Sequence, residues 1–247
     1  MEQNEYEVMY QAEDSYWWYL GLKAGVFSAL EKYAPKKKKL KLLDAGCGTG
    51  GILSLASKYE SNGFDIAWEA LKFCKKRNLE NLLQASVCEV PYKSCVFDMV
   101  ISLDVICNIG EKNILISLKE LQRTLKSGGI LVLNLPAYDF LQSCHDRAVH
   151  IQHRFNRKEL RKKLKEAGFI AEKLTYRNTL LFPLMVLFRL LEKVFLKETT
   201  PVKSNLTPLP GPLNGFLYSL LSLENRLIFS GFNFPCGLSL FCVARKV

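Results

Sequence analysis

Several things are scarce in this chain. None of its eight cysteines forms a C-x-x-C pair, which removes the paired-thiol spacing of zinc and redox motifs. Histidine occurs only three times, at His145, His150 and His153, so any imidazole chemistry must sit in one short segment. No uninterrupted run of about 20 apolar residues occurs, and a spanning helix needs about that length. The first fourteen residues are polar and acidic with no apolar h-region, so we expect no secretory leader. That reading places the chain in the reducing cytosol, where its cysteines stay free and largely buried. Acidic residues are the minority, 24 against 34 Lys and Arg, for a formal charge of +10. The excess favours an acidic partner: nucleic acid, an anionic membrane surface or a phosphorylated substrate. Charge alone does not choose among them.

Hydrophobic residues make up 49% and charged residues 23% of the chain, as in ordinary globular proteins. A length of 247 residues suits one large or decorated domain. The stretch 42–51, Leu-Leu-Asp-Ala-Gly-Cys-Gly-Thr-Gly-Gly, reads as the end of a buried strand, a tight turn and the start of a helix over 50–59. Gly46, Gly48 and Gly51 satisfy G-x-G-x-x-G, which a dinucleotide-binding turn would share. Asp44 opposes that reading, because a carboxylate at the strand tip repels a pyrophosphate. It suits a ligand with a cationic amino-acid portion, such as S-adenosylmethionine. A purely structural glycine turn is the third reading.

Strand-like and helix-like segments alternate downstream. Strands are predicted over 40–44, 62–65, 82–86, 97–103 and 130–135, with helices over 67–77 and 111–125. Such βαβ alternation predicts a parallel, doubly wound sheet whose ligands lie at the carboxyl ends of the strands. Those ends carry Asp44, Asp65, Ser86 with Val87, and Leu103 with Asp104.

Residues 42–50 resemble motif I of the class I S-adenosylmethionine-dependent methyltransferases of the broad small-molecule type. Val90-Pro91-Tyr92, Phe97-Asp98-Met99-Val100 and Leu125-Lys126-Ser127-Gly128-Gly129 are similar to elements that follow in that family. The resemblance implies a Rossmann-like α/β fold with a seven-stranded sheet whose last strand is antiparallel and inserted between neighbours. It implies that Asp44 and Gly46, with Cys47, Gly48 and Gly50 of the same loop, hold the methionyl part of the cofactor. Asp65, with Ile66, would hold the ribose. Ser86 and Val87 would flank the adenine, and Leu103 and Asp104 would line the methyl-donor site. Many relatives carry aspartate where Ser86 stands and histidine where Asn108 stands.

Outside 40–136 the readings stay open. We predict a helix from a Ser15 cap to about residue 33, rich in aromatics at Tyr16, Trp17, Trp18 and Tyr19. It either anchors on the core or, as a lid formed by residues 1–34, closes over the cofactor or substrate, with Trp18 against the sulfonium. The lysine run 36–39 reads as a solvated loop, and no nucleic-acid partner is expected. The histidine segment 144–155 is a metal site, a plain surface loop, or a substrate-facing loop with a general base. For the base, His145 with Asp146 is the preferred pair, with His150 and His153 behind it, and no metal is expected. Asn156 to Glu159 reads as a capping box that starts a helix ended by Gly168, followed by a strand over 170–176.

Residues 179–196 are strongly apolar and serve either core or dimer packing, or contact with a membrane surface or lipidic acceptor. A helix over 215–229 and a final strand over 238–244 complete the reading. The expected organisation is a lid (1–34), a cofactor-binding core (35–177), a helical insertion (178–234) and a closing strand (235–247). The expected function is methyl transfer from S-adenosylmethionine, to oxygen of a small hydrophobic or lipid-linked acceptor, by a cytoplasmic protein that is peripheral to a membrane if 179–196 contacts one. An NAD(P)-dependent oxidoreductase and a non-catalytic partner protein that binds the same cofactor are the rivals.

Overall fold

The structure, a computed structural model, describes residues 3–142, 146, 149–195 and 209–247. Seven strands form one sheet: β1 (Lys41–Ala45), β2 (Glu60–Asp65), β3 (Leu82–Gln84), β4 (Phe97–Leu103), β5 (Leu125–Pro136), β6 (Phe169–Arg177) and β7 (Ser239–Lys246). Their spatial order is β3-β2-β1-β4-β5-β7-β6. All pairs are parallel except those of β7, which runs antiparallel to both β5 and β6 and lies between them. This is the seven-stranded, doubly wound sheet that the sequence implies, inserted closing strand included.

Strand periodicity of two sends alternate residues to opposite faces. On one face Leu43, Val100, Leu131 and Leu133 pack with residues of α4 (Glu111–Thr124) and α5 (Arg157–Glu166). On the other, Leu42, Met99, Ile101, Val132 and Val243 pack with Leu22, Val26, Ala29 and Leu30 of α2 (Trp17–Tyr33). Helix α5 starts as predicted: the Asn156 side chain accepts from the Glu159 N–H at 2.9 Å. The shorter helices are α1 (Gln3–Ala12) and α3 (Trp68–Lys76). Helices α6 (Phe182–Phe195) and α7 (Gly211–Ser230) occupy the stretch between β6 and β7.

Three expectations need correction, and one further helix is found. The segment after the glycine loop is not a helix over 50–59: only a short 3-10 turn, Leu53–Leu55, forms before β2 begins at Glu60. Gly50 sits at φ +85°, outside the helical region, and strand β2 claims the chain too soon for a helix to propagate. Residues 3–12 form a separate helix. Ser15 does not cap α2. The first N–H of α2, from Trp17, is taken by the Asn214 Oδ1 of α7 at 2.9 Å, and Asn214 Nδ2 donates to the Ser15 carbonyl. Helix α7 begins at Gly211, four residues earlier than predicted, with Pro212 in its first turn, where the missing N–H costs nothing.

Helices α2 and α7 pack side by side and in parallel. Gly21 and Gly25 of α2 leave room for Leu221 and Asn225 of α7, and Asn225 Nδ2 donates to the Gly21 carbonyl at 2.9 Å.

Candidate active site

A cavity of about 690 Å³ opens at the carboxyl ends of β1, β2 and β4. Its floor is the glycine loop. Gly46 adopts φ +81°, and a Cβ there would overlap the Val105 side chain. The Gly46 and Cys47 N–H groups both donate to the Phe64 carbonyl, at 2.8 and 2.9 Å, which ties the loop to β2. Asp65 ends β2 and braces the loop again: its Oδ2 accepts from the Gly48 N–H and its Oδ1 from the Ala67 N–H, both at 2.9 Å.

Three carboxylates crowd this end: Glu13, Asp44 and Asp65 all line the cavity and are buried. Glu13 accepts from the Thr49 hydroxyl and pairs with Arg77. Asp44 has no ion-pair partner among the described residues. Burial, reinforced by the charges of Glu13 and Asp65, pushes its carboxyl up to about 8. Burial also raises Asp65, opposed by the N–H groups of Ala67 and Gly48. A buried, uncompensated carboxylate beside two others fits the ammonium and sulfonium of S-adenosylmethionine, and repels a pyrophosphate. The missing helix after the loop points the same way, since no long helix N-terminus is present to hold a phosphate.

Helix α1 roofs the same end. Met9 lies over Gly48, and Tyr10 packs on Phe73 of α3 with ring centroids 5.0 Å apart. Arg77 reaches Asp14 at 2.7 Å, and Asp14 holds Lys23 of α2 at 2.8 Å. None of these α1 contacts was singled out from sequence. The polar segment carries no strong apolar stripe to announce it.

The opposite end of the cavity is built on the tips of β4 to β7. Asp104 takes the left-handed conformation, φ 54°, just past β4. Asn134 of β5, next to it across the strand pair, donates from Nδ2 to both Asp104 oxygens at 3.1 and 3.0 Å. Burial pushes the Asp104 carboxyl up to about 6, against the Asn134 hydrogen bond and the charges of Arg177 and Arg154. His150 and Asn178 are also left-handed, at φ 60° and 59°, and both line the cavity. Such conformations in non-glycine residues cluster where function demands them. Leu141, Leu181 and Met185 give this end an apolar wall.

The sequence-derived residues separate into groups. Trp18, Asp44, Gly46, Cys47, Gly48, Asp65, Ile66, Ser86, Val87, Leu103, Asp104 and His150 all line the cavity. Gly50 does not: its open side faces Leu79 and Cys74. His145 lies outside the described residues. Asp146 is buried away from the cavity lining and grips Arg154 through two bonds, Nε to Oδ2 at 2.7 Å and Nη2 to Oδ1 at 2.8 Å. The Arg154 guanidinium is thus one partner of Asp146, and Arg154 lines the cavity. His153 is also turned away, with Nε2 2.7 Å from Glu159 Oε1 and its ring edge-on to Phe155. The described residues contain no group of three or more His, Cys, Asp or Glu side chains arranged to hold a metal. Asn134 was missed, although a lone amide inside the apolar run 130–135 is a signal of buried polar work.

Residues 43–133 match the family described as a methyltransferase domain. An uncharacterized protein of Methanocaldococcus jannaschii is 32% identical over 106 residues, covering 43% of this chain and 45% of that protein. Ajmaline N-methyltransferase of Rauvolfia serpentina is 31% identical over 109 residues, covering 40% of this chain and 37% of the enzyme. The match therefore spans less than half the length of these curated relatives. A solved SAM-dependent methyltransferase from Archaeoglobus fulgidus superposes with a TM-score of 0.57 at 18% identity, covering 91% of this chain and 93% of that one. The likeness in fold thus runs far beyond the stretch that is alike in sequence.

Proposed function

We propose, from the premise that this chain carries a methyltransferase domain in the class I fold, that it transfers a methyl group to oxygen of a small acceptor with a hydrophobic body. The cofactor of that domain is S-adenosylmethionine, which supplies a methyl group on a sulfonium centre. The observation that carries the reading is Asp44: a buried carboxylate with no cationic partner among the described residues, at the tip of the first strand, facing a cavity of about 690 Å³. In this proposal Asp44 holds the ammonium, Asp65 accepts from the ribose hydroxyls, and Ser86 with Val87 flanks the adenine. Trp18 offers an aromatic wall near the sulfonium.

The acceptor would lie against Leu141, Leu181 and Met185, with its hydroxyl toward Asp104. A carboxylate whose pKa lies about 6 accepts a proton near neutral pH, which is the range a general base needs. His150 faces the same cavity and is the one described histidine that could share this role. Residues 1–34 would act as the lid and 178–234 as the acceptor-side insertion. The free thiols of Cys47, Cys74, Cys107 and Cys242 fit a reducing compartment such as the cytosol.

Calorimetric titration tests the premise. S-adenosylmethionine should bind, NAD(H) and NADP(H) should not, and Asp44→Ala should abolish binding. Nicotinamide cofactor binding without S-adenosylmethionine binding would sink the reading. Binding with no transfer of labelled methyl to any hydroxylated acceptor would leave a cofactor-binding partner protein instead.

A further inference from the structure

Most of the exposed large apolar side chains among the described residues fall between 180 and 232. On α7, Leu213, Phe216, Leu223 and Leu227 are exposed, and Leu220 is half-buried. Their spacing of three, four, three and four residues puts them on one side of a helix. The other side of α7 is already used: Leu221, Glu224, Asn225 and Ile228 are buried, with Leu221 and Asn225 against α2. Helix α7 is therefore apolar on two faces, and only one has a partner among the described residues.

Helix α6 repeats the arrangement. Leu181, just before it, and Met185 within it line the cavity, whereas Leu184 and Leu187 point outward, 64% and 55% exposed. Both helices are tied to the cavity wall. Asn214 of α7 caps the helix that bears Trp17 and Trp18, and Glu224 accepts from the Asn178 and Thr179 N–H groups ahead of α6.

Charge selects the occupant. The only acid on α7 is Glu224, which is buried and bonded, so the outer face of α7 carries no carboxylate. At its C-terminal end stands Lys32, exposed, with Nζ 2.6 Å from the Phe229 carbonyl. Exposed Lys36, Lys38 and Lys39 follow within seven residues. A second copy of this chain would bring the same lysines and no carboxylate on that face to meet them. An anionic lipid surface meets both the apolar stripe and the lysines.

We propose that the outer faces of α6 and α7 seat this protein on an anionic membrane surface, with Lys32, Lys36, Lys38 and Lys39 against the headgroups. No helix among the described residues is long and apolar enough to cross a membrane, so the contact is one of lying on the surface. Leu181 and Met185 then sit between the lipid and the cavity, on the route an acceptor dissolved in lipid would take. The docking itself does not depend on the methyl-transfer reading.

Sedimentation of the full chain with vesicles tests it. Vesicles of phosphatidylcholine with phosphatidylglycerol should carry down at least about tenfold more protein than vesicles of phosphatidylcholine alone, and added salt should reverse the excess. Phe216→Glu with Leu223→Glu should remove the binding, again by about tenfold or more. Those side chains are exposed, so the melting temperature and S-adenosylmethionine affinity should hold. Replacing Lys36, Lys38 and Lys39 by Ser, which leaves both helices and the Lys32–Phe229 bond untouched, should abolish the preference for anionic vesicles. Equal binding to both vesicles, or to neither, overturns the proposal. So does light scattering that shows a dimer dispersed by Phe216→Glu. Loss of vesicle binding with S-adenosylmethionine affinity intact counts against the docking surface alone. Vesicle binding without cofactor affinity counts against the methyl-transfer reading alone.

Discussion

Asp44 carries an electrostatic debt in the free protein. Its carboxyl is pushed up to about 8, against an ordinary value near 4 in the unfolded chain. The folded state therefore binds its proton more tightly than the unfolded state does. The stability this contributes is fully present below pH about 4 and is lost as the pH rises through about 8. A cationic ligand reverses the preference, because it favours the ionised form. Cofactor affinity should therefore rise with pH, by up to about tenfold per unit below pH about 8, and level off above it. Binding below pH 8 should release a proton, measurable by calorimetry in buffers of different ionisation enthalpy. Asp44→Asn should flatten the pH profile as well as weaken binding; a profile that stays steep would assign the proton to another group. Asp104 is a separate case. Asp104→Asn should lower turnover by about a hundredfold or more while cofactor affinity stays within about twofold. If affinity falls as much as turnover, Asp104 binds the cofactor and is not the base. Asp44 was legible in sequence because it sits in a motif. The pairing of Asp104 with Asn134 was not, because it joins strands 30 residues apart.

Elements were legible where one face of a pattern settled the matter. Strand β4 was predicted to the residue, since a seven-residue stretch with five apolar residues, buried on both faces, leaves no competing period. The Asn156 cap of α5 was legible because its partners lie three residues apart. The start of α2 was misread for the opposite reason: its capping group, Asn214, lies 197 residues away. Asn214→Ala should cost about 1 kcal/mol, within the usual range for a lost cap, in chemical denaturation. It should also loosen the Trp17–Trp18 wall. Ser15→Ala should change stability by no more than about 0.5 kcal/mol, because the Ser15 side chain does not cap the helix. A larger effect at Ser15 than at Asn214 would mean that α2 is capped locally after all. Gly21→Ala tests the same pair of helices by packing. The added methyl would press into Leu221, and overpacking of this kind costs about 1–3 kcal/mol.

At the scale of the whole molecule, chain order and spatial order disagree, and the disagreement decides which end can be spared. Strand β7 is last in sequence but lies inside the sheet. It pairs with β5 from Ile130 to Pro136 and with β6 from Phe169 to Arg177, and Phe241, Cys242 and Val243 are buried. Removing residues 239–247 would strip β5 and β6 of their shared partner and leave two unpaired strand edges facing each other. The truncated chain should therefore fail to fold cooperatively, with loss of near-UV circular dichroism. Helix α1 is first in sequence and lies outside both layers. It meets the rest through Met9 over Gly48 and Tyr10 on Phe73, and the two residues just past its C-terminal Ala12, Glu13 and Asp14, pair with Arg77. A chain lacking residues 1–14 should keep a cooperative melt. It should lose Glu13, one of the two carboxylates that raise Asp44, so the Asp44 carboxyl should fall toward its ordinary value. The pH at which cofactor affinity levels off should fall with it, and the cofactor should dissociate faster without its roof. If the shortened chain keeps both the full-length plateau and the full-length dissociation rate, α1 is a surface ornament, not part of the site.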